Sequence, residues 1–493
     1  MSNSLLRTKN ADSMSFDAEW KTVHGVVLSL LNQQDVSKHQ WQDLFMIVHR
    51  ICSWIDRGAE KVHCKLESEI DNYIRDAERR IRLHLEENAL LRAYITEWQK
   101  FYTQAQYLPM PFMVLETTQQ GGRSPSMMPR SSYSGPQNSQ KAFRDTENVV
   151  KRMMLDKWNE IIFSGIKEKL QAAAMKLVAA ERNGEAFDSQ LVVGVRESYV
   201  SLSTDADEPL AIYKSHFERA YLDATEEFYK GRAAQVLEEN GVQNYMQYAD
   251  SKLREEDQRA RRYLDTKSDS LEKLLNRCVS VLVVSFQEQV LAECPGLIKA
   301  DEIDKLRMMF RLIDRSPSGI PTMLKYLDEH IRCEGLSDMV ANAQTITSDP
   351  EKYVEQLLSM FNRFSTLVRD AFYDDPRFLT ARDKAFQEVV NDTTVFKLEL
   401  QAPKQKGAVA KIVPESKCPE LLANYCDLLL RKTQLSKKLT SEEVDAKLSD
   451  VLLVLKYVQN KDVFMRFHKA HLSRRLILDM TADQEKEETM VNR

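Results

Sequence analysis

Apolar positions recur with helical spacing wherever the chain shows a sustained pattern. Ser37 and Gln40 have the spacing of a capping box ahead of an apolar run, which predicts the start of a helix. Thr440 and Glu443 repeat this pattern. The apolar residues after them follow one helical face: Val444, Leu448, Val451, Leu452 and Leu455. Because no stretch shows the sustained alternation of strands in a large sheet, the pattern predicts an all-α protein.

Two segments interrupt the helical pattern. Residues 119–140 hold several glycines and prolines among serines, which predicts a flexible loop. Residues 400–414 hold Pro403, Gly407 and Pro414 among lysines, which predicts a linker. The chain is therefore expected to form a large helical array over residues 1–400 and a shorter helical bundle over residues 401–493.

The composition narrows the class of protein. The chain has 14 glycines and 14 prolines in 493 residues, about half the usual share, so turns are scarce and sheet-rich folds are disfavoured. A net charge of −5 argues against a basic nucleic-acid footprint. No stretch approaches the roughly 18 apolar residues of a membrane span, and residues 1–10 lack a signal-peptide core. Seven scattered cysteines favour a reducing compartment, the cytoplasm or nucleus.

Motifs of common enzymes and metal sites are lacking. The sequence contains no glycine-rich phosphate loop and no Gly-x-Ser-x-Gly elbow. Cys418 and Cys426 are too far apart to form a zinc-binding pair. His468 and His471 have the spacing i, i+3 and are metal-ligand candidates, but packing or solvent exposure is favoured because further ligands are lacking. We expect no metal and no cofactor.

Two smaller features have structural explanations as well as functional ones. Cys64 beside His63 is the best candidate for a nucleophile, but adjacent residues on a helix do not face each other, so structural packing is favoured. Lys469, Arg474 and Arg475 suggest an anionic partner, although a solvated face or pairing with acidic neighbours is the more common arrangement. We therefore expect a protein without an active site.

The predicted helix from Ser37 to Trp54 has two apolar faces. One stripe consists of Trp41, Leu44, Val48, Cys52 and Ile55. The next stripe consists of Gln42, Phe45, Met46, His49 and Ser53. A surface helix needs one apolar stripe, so the second is either buried within the fold or covered by a partner. Methionine and aromatic residues are enriched at protein interfaces, and the residues alone leave both possibilities open.

Several motifs resemble the cullin family of ubiquitin-ligase scaffolds. Residues 461–478 contain Lys-Asp-Val-Phe, an aromatic residue three positions later and Leu-x-Arg-Arg-Leu, which closely resemble the core signature of the cullin homology region. Residues 375–386 and 416–426 resemble the end of the cullin stalk and the start of its helical bundle. Further segments resemble the elongin-using branch of the family: residues 184–188, 194–199 and 241–246, and Trp54 with Asp56. The resemblance covers nearly the whole chain.

The resemblance implies a fold and a function. The expected fold is an elongated stalk of stacked helical repeats followed by part of a helical bundle. The expected function is a non-catalytic scaffold of a cullin-RING E3 ubiquitin ligase that serves ubiquitin-dependent protein degradation. Its N-terminal helices would bind elongin C, held together with elongin B and a SOCS-box substrate receptor. The adaptor-binding residues carried over by position are Gln42, Phe45, Met46, His49, Trp54 and Asp56, followed in a second segment by Phe112, Met113 and Glu116.

Cullins continue for several hundred residues beyond the counterpart of Arg493. The resemblance implies that the main binding region for a RING-box protein and the modifier-acceptor domain are absent from this chain. It also implies that the chain competes with a full-length scaffold for its adaptor. The composition is shared by a different class, the helical rod subunits of vesicle-tethering complexes, but residues 461–478 count against this alternative.

Overall fold

A computed structural model describes residues 15–115, 149–203, 208–394, 397–398 and 414–492. The described residues form helices almost throughout, which confirms the predicted all-α class. The two short strands, β1 (Lys397–Leu398) and β2 (Glu415–Ser416), pair antiparallel.

The helices have the following bounds in chain order. They are α1 (Phe16–Leu31), α2 (Lys38–Trp54), α3 (Gly58–Arg82), α4 (Glu87–Tyr107), α5 (Val149–Trp158), α6 (Ser164–Arg182), α7 (Ser189–Ser201), α8 (Arg219–Tyr263), α9 (Ser270–Leu282), α10 (Gln287–Ala292), α11 (Cys294–Lys299), α12 (Ile303–Ile313), α13 (Ile320–Ala341), α14 (Ala343–Ile346), α15 (Pro350–Phe372), α16 (Pro376–Val390), α17 (Cys418–Leu430), α18 (Gln434–Lys438), α19 (Ser441–Leu455), α20 (Lys461–Ile477) and α21 (Gln484–Asn492). Short 3-10 helices occur at Met110–Phe112 and Val284–Phe286, and π-helical segments at Asn159–Phe163 and Tyr213–Glu218. The helical conformation of α8 breaks at Gly241, which has a positive φ of 73°.

The first of two compact units takes the described residues up to Tyr229 together with Arg254–Arg277. The buried face of α3 recurs every three or four positions: Val62, Leu66, Ile70, Ile74, Ala77 and Ile81. Aromatic rings join α4 to α5, since the rings of Phe101 and Trp158 stack with centroids 4.3 Å apart. These contacts hold the helices that support the N-terminal surface.

A buried ion pair also stabilises the first unit. The Arg182 Nε donates to Glu256 Oε1 at 2.9 Å, and its Nη2 donates to Thr225 Oγ1 at 2.5 Å. The Tyr229 hydroxyl donates to the same carboxylate at 2.7 Å. Because both charges are buried, their hydrogen bonds are needed to offset the desolvation of each group.

The second compact unit takes Lys230–Leu253 and the described residues from Cys278 onward. The predicted capping box at the start of α19 is confirmed: Thr440 Oγ1 accepts the Glu443 N–H at 3.3 Å, and Glu443 Oε2 accepts the Thr440 N–H at 2.7 Å. The buried residues of α19 are Val444, Leu448, Val451 and Val454. Leu452 and Leu455 of the predicted stripe are half-buried, so the core-facing line lies slightly to one side of the prediction.

The predicted loop at residues 119–140 lies outside the described residues, as does all of the predicted linker at residues 400–414 except Pro414. The boundary between the helical array of residues 1–400 and the bundle of residues 401–493 stays a prediction. Within the described ranges, no helix combines the length and the apolar character needed to cross a bilayer.

Candidate functional site

The candidate surface is built on α2, whose two ends are defined by the local sequence. Ser37 Oγ accepts the Gln40 N–H at 3.3 Å, and Gln40 Oε1 accepts the Ser37 N–H at 2.9 Å, which confirms the predicted capping box. A capping residue of this kind typically contributes about 1 kcal/mol. At the other end, Ile55 is extended, with φ −98° and ψ 135°, and stops the helix directly after Trp54.

The inner face of α2 packs into the first unit. Leu44, Val48 and Ile51 are fully buried. Ile51 was missing from the predicted stripe, whereas Trp41 and Cys52, which were in it, are only half-buried. Positions 44, 48 and 51 follow the i, i+4, i+7 spacing, so the core lies toward one edge of the predicted stripe.

The outer face of α2 carries large apolar side chains in solvent. Phe45 is 45%, Met46 59% and Trp54 48% exposed. The polar candidates Gln42, His49 and Asp56 are exposed as well. The hypothesis that this helix is buried on every side is therefore wrong, and the outer face is an apolar surface of the kind that marks interaction sites.

The second predicted segment lies against the same helix. The 3-10 helix Met110–Phe112 packs on α2, and Met113 directly after it is 54% exposed. Exposed Met110 and Met113 thus lie on an element adjoining α2, which extends the apolar surface. The structure therefore brings the two segments together. We call the exposed side chains of Phe45, Met46, Trp54, Met110 and Met113 the outer apolar face.

The assignment of Phe112 to direct partner contact needs a correction. Its side chain is fully buried and forms part of the core. The reason is that Phe112 is held in the one-turn helix that packs on α2, so its ring points into the protein while Met113 points outward. The remaining candidate of this segment, Glu116, lies outside the described residues.

A close backbone approach sets the position of Trp54 and Asp56. Gly58 begins α3, and a Cβ placed on it would lie 2.0 Å from the carbonyl oxygen of Ile51. Only glycine allows α2 and α3 to meet this closely. The turn that carries Trp54 and Asp56 is consequently short and well defined. In the sequence, the single glycine Gly58 is what indicates this turn.

One ion pair links α2 to its neighbour α1. Arg50 Nη2 donates to Glu19 Oε2 at 2.5 Å. Behind the surface, the His24 imidazole of α1 lies 3.0 Å from Glu69 of α3. Polar contacts therefore join the helices that flank the outer apolar face, and Arg50 was not among the residues predicted from the sequence.

The two histidines that were candidate metal ligands have contacts inside the protein. His468 is buried and stacks on Phe464 with centroids 5.5 Å apart, and His471 Nε2 lies 2.9 Å from Asn424 Oδ1. The two histidines are therefore packed within the fold. In the described part of the chain, no group of three or more His, Cys, Asp or Glu residues could hold a metal ion.

The expectation that Cys64 packs in the core is wrong, because this side chain is exposed. The buried face of α3 runs through Val62 and Leu66, and Cys64 lies midway between them on the opposite side. Burial raises the pKa of the Cys418 and Cys426 thiols to about 12, so both stay protonated at neutral pH.

The basic run near the C-terminal end pairs with acidic neighbours, as favoured from the sequence. Arg475 is fully buried and contacts Asp427 and Glu487. Arg474 Nη2 lies 3.6 Å from Asp427. Two of the three basic residues therefore have intramolecular partners.

Comparisons with known proteins give a consistent picture. The family model of the cullin alpha solenoid domain matches residues 20–493. The chain is 51% identical to Cullin-5 of Caenorhabditis elegans over 97% of this chain and 60% of that protein. It is 27% identical to Cullin-1 of Dictyostelium discoideum over 99% of this chain and 62% of that protein. It is 31% identical to Cullin-1 of Caenorhabditis elegans over 82% of this chain and 49% of that protein. The chain thus spans between 49% and 62% of the length of these curated relatives.

Proposed function

The chain belongs to the cullin family, and from this membership we propose that it is a scaffold of a multisubunit E3 ubiquitin ligase with no active site of its own. The scaffold would hold a substrate-receptor module at its N-terminal helices for ubiquitin-dependent degradation. We propose that it acts in the cytoplasm and nucleus. Family membership also counts against the alternative of a vesicle-tethering rod.

The outer apolar face is the observation that carries the proposal. Three large side chains of α2 are about half exposed, and two methionines of an adjoining element are exposed with them. Contact between this much apolar surface and water is unfavourable, so burying the surface against a partner lowers the free energy. The buried residues behind it, Leu44, Val48 and Ile51, make the surface rigid before binding, which lowers the entropy lost on association.

We propose that elongin C, held with elongin B, is the adaptor that covers this surface. The similarity to Cullin-5 over nearly the whole chain supports that choice among the adaptors of the family. Gln42, Phe45, Met46, His49, Trp54, Asp56 and Met113 are the contact residues, since all are exposed. A SOCS-box receptor would join through the adaptor.

Calorimetric titration of the chain with purified elongin B–elongin C tests the proposal. We expect saturable binding with one adaptor per chain and a negative heat-capacity change, because apolar surface is buried. Met46→Asp is expected to weaken binding, because it places a charge on the outer apolar face. Leu85→Asp is the matched control, because Leu85 is equally apolar and 96% exposed but lies in the turn between α3 and α4. Absence of binding by the folded wild-type chain would reject the proposal.

Competition is a second consequence of the proposed role. A polypeptide of these 493 residues that binds adaptor without recruiting a RING-box protein removes adaptor from productive complexes by mass action. Titrating it into a reconstituted ubiquitylation reaction with a full-length scaffold should reduce product, and excess adaptor should restore it. Undiminished product at saturating chain, despite measured adaptor binding, would contradict competition.

A further inference from the structure

A single cation lies within the outer apolar face on α2. Arg50 follows Met46 by four residues and precedes Trp54 by four, so helical geometry places it on the strip between these two exposed side chains. Its side chain is 48% exposed, whereas that of Glu19 is 20% exposed. The guanidinium is therefore accessible from the side on which a partner would lie.

Glu19 holds the guanidinium in place without using all of its donors. The Nη2 of Arg50 donates to Glu19 Oε2 at 2.5 Å, which links α2 to α1. A guanidinium carries five N–H donors in a rigid plane. Because this contact occupies one edge of the group and half of the side chain is in solvent, donors remain for a second acceptor.

The contribution of the pair to folding is small. Exposed ion pairs typically contribute little to stability, because solvent screens the charges and the side chains lose freedom. The same guanidinium would contribute more at a desolvated interface, where charge-assisted bonds to a carboxylate are stronger and arginine is enriched among the residues that dominate affinity. Arg50 lies between the exposed apolar side chains of Met46 and Trp54, which is the arrangement expected of an arginine that contributes strongly to affinity.

We propose that Arg50 determines partner choice on this surface by binding a carboxylate of the adaptor, with Glu19 as a positioning residue. The inference rests on the proposed function, since the adaptor is the occupant of the outer apolar face. A partner that presents an apolar or basic group at this point would bury the guanidinium without a counter-charge and be rejected.

The experiment measures elongin B–elongin C binding by four variants at low and physiological salt. Arg50→Met keeps an unbranched apolar stem and removes the charged guanidinium. Glu19→Ala removes the positioning group, whereas Glu19→Gln keeps a carbonyl acceptor but not the charge. Arg75→Met is the matched control, because Arg75 of α3 forms an exposed pair with Asp71 at 2.8 Å on the same unit.

We expect Arg50→Met to weaken binding about tenfold and to reduce the salt dependence of the association rate. Glu19→Ala should weaken binding about threefold, since Arg50 becomes mobile. Glu19→Gln should bind at least as tightly as wild type, because Arg50 stays in place and a repulsive charge is lost. Arg75→Met should bind like wild type.

Three results would overturn the inference. The first is wild-type affinity and salt dependence in Arg50→Met. The second is an equal loss in Arg75→Met, which would indicate a general charge effect. The third is an equal fall in melting temperature for Arg50→Met, Glu19→Ala and Glu19→Gln with unchanged binding, which would make the pair a tether between helices. If the wild-type chain does not bind the adaptor, the proposed function fails together with the inference, and this outcome is distinguishable from the other three.

Discussion

Arg475 and Glu487 form a bidentate ion pair inside the second unit, with Nε to Oε1 at 2.5 Å and Nη2 to Oε2 at 2.9 Å. The Nη1 of Arg475 also donates to Asp427 Oδ1 at 2.7 Å. Burial alone would lower the pKa of Arg475, but its hydrogen bonds to Glu487 and Asp427 raise it, so the charge is retained. The second arginine of the Leu-x-Arg-Arg-Leu motif therefore joins α20 to α17 and α21 and is a fold contact.

Arg475→Met should destabilise the helices around this pair. The substitution leaves the buried carboxylate of Glu487 without its counter-charge and removes the closest cation from Asp427. Breaking a buried pair typically costs about 3–5 kcal/mol. Native-state hydrogen exchange should show faster exchange of amides in α17 and α20. Lys469→Met, at an exposed position of α20, is the control and should leave protection unchanged. Equal protection in both variants would show that the pair is dispensable.

The second unit should lose stability on mild acidification. Burial first, and then the positive charge of Arg475, lower the pKa of His468 below its ordinary 6.5, against the opposing charges of Glu487 and Asp427. The folded chain keeps the imidazole neutral, whereas the unfolded chain takes up a proton below about pH 6.5. The contribution of neutral His468 to the stability of the second unit is thus fully present above about pH 6.5. It decreases as the pH falls toward the folded pKa of His468, by up to about 1.4 kcal/mol per pH unit.

His468→Gln should reduce this pH dependence. Urea unfolding followed by far-ultraviolet circular dichroism between about pH 7.5 and pH 5.5 measures it. Burial also lowers the pKa of His471 and of His330, so some dependence should remain. His49→Gln, at an exposed position of α2, is the control and should retain the wild-type slope. A wild-type slope in His468→Gln would contradict the assignment.

Gly58→Ala should destabilise the first unit and weaken adaptor binding. The added Cβ would meet the Ile51 carbonyl oxygen at 2.0 Å, so the junction of α2 and α3 must shift. Overpacking of this kind costs about 1–3 kcal/mol. Gly25→Ala on α1 is the control: nothing lies within 4 Å of its added Cβ, and alanine in a helix gains about 0.5–1 kcal/mol over glycine. Urea unfolding followed by tryptophan fluorescence should show opposite shifts for the two variants, because all five tryptophans lie in the first unit.

Trp54→Ala and Phe112→Ala should separate binding from folding. Trp54 is half exposed, so its loss should weaken adaptor binding by about 2 kcal/mol with little effect on the free energy of unfolding. Phe112 is fully buried, so its loss should cost about 3–5 kcal/mol of stability. Calorimetric titration and urea unfolding measure the two effects. A large loss of stability in Trp54→Ala would instead place this ring in the core.

Local spacing and local chemistry determined much of this protein from the sequence alone. The capping boxes at Ser37 and Thr440 were readable because their hydrogen bonds join residues three positions apart. Scarce glycine and proline, together with helical periodicity, indicated the all-α class. The resemblance around residues 461–478 indicated the family. Each of these signals is contained in a short stretch or in overall composition.

Contacts between distant positions were decided only by the tertiary structure. Helical spacing predicted Cys52 as a core residue, whereas the packing of α2 in the first unit buries Ile51 and leaves Cys52 half-buried. Phe112 was predicted to contact the adaptor, but it lies in the one-turn helix that packs on α2 and its side chain is fully buried. The partners of Arg475 lie 48 residues before and 12 residues after it. Burial and ion pairing depend on which helices meet, and no local pattern records that choice.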